Sequence, residues 1–158
     1  MTIKTSQVTN RRELRFESFG DILLDVEGIL GRSHRTLGNW SAAQIVEHLA
    51  LTFRCAVDGS EYKANIVFRS LSPLVKKKTL SQAMTPGLTM PSGMRPDFYP
   101  DEAVEEQTAL EHLKYEIERY QDAEELAKHV VFGKLKRHEW DQLHFRHAEM
   151  HLSFIVLD

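Results

Sequence analysis

Asn39-Trp40-Ser41-Ala42-Ala43-Gln44-Ile45-Val46-Glu47-His48-Leu49-Ala50-Leu51-Thr52-Phe53-Arg54-Cys55-Ala56 carries both the start signal and the inner face of one amphipathic helix. Ser41 is placed to cap it, Gln44 three residues on completes a capping box, and Trp40 is placed to staple against the first turn. Behind that start, Ile45, His48, Leu49, Thr52 and Ala56 recur three and four apart, the period of a helix with one side turned inward. A histidine therefore sits inside an apolar stripe, where a polar ring without a partner costs a few kcal/mol to bury.

The same period recurs along the chain. Over Arg12–Leu30 the apolar positions Phe16, Phe19, Leu23, Val26 and Leu30 predict a first helix, which Gly31 ends. A third is predicted from Asp101, its cap after Pro100, to Tyr120, with Ala103, Leu110, Leu113, Ile117 and Tyr120 inward. A fourth is predicted from Arg137 to Val156, with Trp140, Leu143, His147, Met150, His151 and Phe154 as its stripe. Strand-like alternation is scarce, so the fold class expected is all-α, four amphipathic helices packed around a shared apolar seam. Between the second and third helices, Ile66–Leu80 predicts a short or broken helix interrupted by Pro73, with Lys76, Lys77 and Lys78 as a solvated charge run. From Ala83 to Pro100 the density of prolines and glycines among Met84, Met90 and Met94 predicts an irregular insertion, a candidate apolar cover over a pocket.

Composition narrows the class. The 158 residues are expected to form one domain, with 1–10 a loose N-terminal segment; 42% hydrophobic and 27% charged residues are those of a globular protein. The first residues show neither a signal peptide nor a membrane anchor, so the expected location is cytoplasmic. A net charge of −3 argues against a nucleic-acid partner. Cys55 stands alone, which rules out an internal disulfide and a cysteine-based zinc site.

The chemistry concentrates in imidazoles. His147 and His151, spaced i, i+4, put two rings on one helix face about 6 Å apart, close enough to share an ion at metal–nitrogen distances of ~2.1 Å. His48 brings a third ring from a facing helix into the same interior. His48, His147 and His151 are therefore the candidate ligands of one divalent transition metal, zinc or nickel by the preference of neutral imidazoles, with iron a further candidate. Three protein nitrogens leave a position open for water, thiolate or substrate, whereas structural zinc is closed by four. The remaining polar groups take structural roles in this reading. His144 is expected to be a partly exposed structural histidine, with a proton shuttle the alternative, and Cys55 a small buried hydrophobe too far along its helix to ligate. Glu47 and Glu149 are expected on solvated faces, Trp40 and Trp140 to pack helix ends, and His34, His112, His129 and His138 on loops or outward faces.

Two segments carry a resemblance: Gly38-Asn39-Trp40-Ser41-Ala42-Ala43-Gln44-Ile45-Val46-Glu47-His48-Leu49, and Phe132-Gly133-Lys134-Leu135 through Glu139-Trp140 to His147-Ala148-Glu149-Met150-His151-Leu152. Together they resemble a DinB/YfiT-like domain. The resemblance implies an up-down four-helix bundle whose metal is held by one histidine of the second helix and an HxxxH pair of the last, the positions of His48, His147 and His151. The chain departs from that pattern at Lys136, where a Ser or Thr cap is frequent, at Val130 for proline, and at Met150 for a further histidine. By the same resemblance the substrate is a small molecule, and the activity that of a low-molecular-weight-thiol-dependent S-transferase or a hydrolase. The competing expectation is a non-catalytic metal-binding or stress-associated protein, with a homodimer built on its outer faces.

Overall fold

The first long helix begins later than its apolar period, and hydrogen bonding explains why. In the computed structural model, which describes residues 2–62, 72–88 and 92–158, helix α1 spans Phe19–Leu30. The Ser18 hydroxyl accepts the Asp21 N–H at 3.1 Å, and the Asp21 carboxylate accepts the Ser18 N–H at 2.9 Å. This reciprocal box satisfies the first free donors and fixes the start. Arg12 to Glu17, expected in the helix, instead pass outside it. Arg12 reaches Asp25 at 2.6 Å and the carbonyl of Ile155 at 2.6 Å, and its own N–H meets the carbonyl of Ser153 at 3.0 Å. Nearer the N-terminus, Thr5–Gln7 form a 3-10 turn, and the Asn39 side chain pairs with both backbone groups of Ile3.

Helix α2 spans Ala42–Asp58 and opens as its sequence predicts, with Ser41 and Gln44 exchanging both capping bonds. It ends at Gly59, whose φ of +84° lies in the left-handed region that favours glycine. Helix α3 spans Ser72–Ser81. Pro73 is the second residue of this described stretch. The earlier part of the expected broken helix lies outside the described residues. Lys76 pairs with Glu139 at 2.7 Å, while Lys77 and Lys78 are exposed as expected.

The insertion before the third long helix is less irregular than its composition predicts. It contains a 3-10 turn at Ser92–Met94 and one α-helical turn, α4, Arg95–Phe98, with Pro96 in its first turn. Met84 packs against the core and Phe98 is buried; Met90 lies outside the described residues. Helix α5 spans Glu106–Asp122, not the expected start at Asp101. The Asp101 carboxylate accepts the Ala103 N–H at 2.8 Å, and so closes a local turn that keeps Ala103 exposed.

Helix α6 spans Arg137–Leu152 and stops short of the predicted Val156. Ile155–Leu157 form strand β2, antiparallel to β1, His34–Thr36, with Thr36 opposite Ile155. Three-residue strands are too short to show as alternation, which needs about four residues to register. Among the described residues the chain is mostly helical with this one small sheet. The core gathers Ile22, Val26 and Ile29 of α1 with Ile45, Leu49 and Phe53 of α2, Leu113, Ile117 and Tyr120 of α5, and Trp140, Ala148 and Leu152 of α6. In α1 the buried stripe keeps the predicted Val26 but adds Ile22 and Ile29, while the predicted Phe19, Leu23 and Leu30 only flank the core. No helix among the described residues is long and apolar enough to cross a membrane.

Candidate metal centre

Two turns into α2, the phase set by the Ser41 cap turns His48 inward, where it is 2% exposed. Its Nδ1 lies 2.7 Å from the carbonyl oxygen of Phe98. A carbonyl can only accept, so Nδ1 carries the proton and Nε2 keeps its lone pair. That Nε2 points at α6 and lies 3.4 Å from Nε2 of His147. The His151 ring completes the group, its centroid 4.6 Å from that of His48 and 4.5 Å from that of His147. One ring nitrogen from each of the three lies within 4.8 Å of the other two. Nitrogens bound at ~2.1 Å around a tetrahedral ion stand about 3.4 Å apart, so the His48–His147 spacing already suits a shared cation.

The electrostatics suit it too. Burial pushes His48 down to about 4, and burial together with the neighbouring imidazoles holds His147 and His151 well below the ordinary histidine value. All three rings are therefore neutral at pH 7, the form that binds metal. His147 and His151 are only half-buried, which leaves the cluster accessible from one side. Trp40 forms a wall there, stacked on His151 at 5.8 Å and tilted against His48 at 4.9 Å. Tyr99, 44% exposed, meets the Trp40 ring edge-on at 5.4 Å.

The other polar candidates fall elsewhere, three of them, His144, Glu149 and Glu47, against expectation. His144, expected to be partly exposed, is 3% exposed and stacked on Phe53 at 3.9 Å, between Tyr120 and Trp140. Burial pushes it down to about 3. Glu149, expected in solvent, is 6% exposed; it accepts the Phe16 N–H at 2.7 Å and pairs with Arg146 at 2.8 Å. Arg146, 1% exposed, donates to the carbonyl of Phe16. The burial of Glu149 shares a cause with the late start of α1, because the chain before Ser18 lies on the face of α6 that was expected to be open, whereas His144 is covered by rings of α2 and α5. Glu47 is half-buried and bonded to Nδ1 of His112 at 2.9 Å, in a clasp between α2 and α5 that continues through Glu116 to Arg119 and Asp58. His34 pairs with Glu106 at 3.1 Å, and Nδ1 of His129 accepts the N–H groups of Val131 and Phe132. His138 is exposed. Cys55 is buried as expected, its S–H directed to the carbonyl of Asp97 at 3.9 Å, and burial pushes its thiol up to about 11. Trp140 packs in the core.

Sequence reasoning found the three rings and missed what holds one of them. The Phe98 carbonyl is a backbone group, invisible to side-chain patterns; the only signal was the unusual insertion that contains it.

The chain belongs to a family described as Protein of unknown function (DUF1569), whose model matches residues 8–157. No curated protein and no solved structure matches it.

Proposed function

We propose that the chain is a metal-dependent enzyme acting on a small molecule, built on a DinB-like up-down four-helix bundle. In this reading α1, α2, α5 and α6 are the four long helices, and His48, His147 and His151 hold one divalent transition metal. The observation that carries the proposal is the convergence of three neutral imidazoles from two helices, with one nitrogen pair already 3.4 Å apart. Zinc and nickel suit such ligands best, and iron is compatible. When bound, the ion supplies Lewis acidity beside a position open to water or a thiol. The chain's own residues supply the rest: Phe98 fixes the tautomer of His48, and Trp40 walls the accessible side. An S-transferase using a low-molecular-weight thiol, or a hydrolase, is the activity class that fits an open three-nitrogen site.

Elemental analysis of untagged protein after reconstitution with zinc or nickel tests this. The expected result is about one equivalent per chain in the wild type and none in His147→Ala. Less than about a tenth of an equivalent in the wild type ends the metal reading.

The competing reading is metal binding without catalysis, which needs only the three ligands and no pocket beside them. In the enzyme reading, a low-molecular-weight thiol added to the cobalt-substituted protein produces a sulfur-to-metal charge-transfer band. A spectrum blind to every thiol and carboxylate tried favours the carrier.

A further inference from the structure

Helix α4 is a single turn, too short to hold its place by helix packing, and its grip on α2 runs through two residues. The Asp97 carboxylate takes the hydroxyl of Ser60, and the Asp97 carbonyl faces the guanidinium of Arg54 at 3.5 Å and the Cys55 thiol at 3.9 Å. Phe98 next to it buries its ring to 8% exposure and turns its carbonyl to His48. Ser60 reaches Asp97 because Gly59, at φ +84°, folds the chain back past the end of α2. The ring plane and tautomer of the deepest histidine thus depend on a loop carbonyl, and the loop depends on a side-chain clasp.

We propose that Asp97 is a positioning residue for the three-histidine site: by clasping Ser60 it seats Phe98, which aims His48, so that metal loading and the seating of residues 95–100 are linked. The inference rests on the metal reading above. Linkage is reciprocal, so an ion that needs His48 aimed also favours the seated segment. Loss of the group that orients a metal-binding histidine weakens metal affinity about 10- to 100-fold.

The test uses the full chain and zinc alone. The wild type is titrated first, in competition with a chromogenic chelator, and amide exchange over 95–100 is followed with and without zinc. Zinc is expected to slow that exchange. Asp97→Ala is expected to bind zinc about tenfold or more weakly, while its metal-free thermal midpoint stays near that of the wild type. Asp97→Asn, which keeps an oxygen acceptor for Ser60, is expected to recover most of the affinity. Ser60→Ala removes the clasp from the other side and carries the test if Asp97→Ala does not fold. Wild-type affinity in Asp97→Ala and Ser60→Ala, or exchange indifferent to zinc, overturns the proposal and leaves the metal site standing. A wild type that takes up no zinc overturns both.

Discussion

His144 shows what burial does to an imidazole set among aromatic rings. Its folded value of about 3 lies below the ordinary 6.5, so an unfolded chain takes up a proton below pH 6.5 that the folded one refuses. The stability that comes from keeping this ring neutral is whole above pH 6.5 and is lost as the pH falls toward 3. His48 and His129, each pushed to about 4, slope the same way. The urea midpoint of the metal-free protein should therefore drop between pH 7 and pH 5. His144→Phe should drop less over that interval, whereas parallel curves for the two proteins would show that the ring contributes nothing. At this scale the sequence was legible wherever a side chain repeats with the helix. His48 between Ile45 and Leu49, and His147 one turn from His151, are geometry written into spacing. Burial of His144 was not legible, because its ring packs against Phe53 and Tyr120 on two other helices, and spacing within one helix does not say which neighbour covers it.

Between elements, the decisive interactions are those that spacing does not record. Phe16 satisfies the period of α1 and is buried, yet it belongs to the stretch laid across α6. Periodicity scores burial and is blind to where N–H groups go. The cue was present all the same, since Ser18 with an acid three residues on is a capping signature. Ser41 with Gln44 was read correctly by the same rule. The stretch laid on α6 is held by Glu149 and Arg146, a buried pair in which each also bonds to the backbone of Phe16. Removing one partner of such a pair leaves the other charge uncompensated, at a cost of about 3 to 5 kcal/mol. Arg146→Ala should therefore lower the urea unfolding free energy by about 3 kcal/mol or more. A loss below about 1 kcal/mol would place the pair among surface ion pairs in its effect.

For the whole molecule, helix α6 carries two of the three candidate ligands and is tied down by chain that lies far away in sequence. Arg12 reaches the carbonyls of Leu152 and Ile155, and β2 pairs with β1 across more than a hundred residues. The four helical periods were readable because each is local; these ties are not, and three-residue strands leave no pattern. Closing such long loops is entropically slow, while individual helices form early. Under the proposed metal reading, a chain refolding from urea should thus regain its far-ultraviolet helix signal before zinc binding, as stopped-flow ellipticity against a zinc-competition readout would show. Simultaneous recovery would mean that α6 docks without waiting for its ties. The antiparallel pairing of His34–Thr36 with Ile155–Leu157 then works as a timing device: under the proposed metal reading, no ion finds its seat during synthesis until residue 157 has been made.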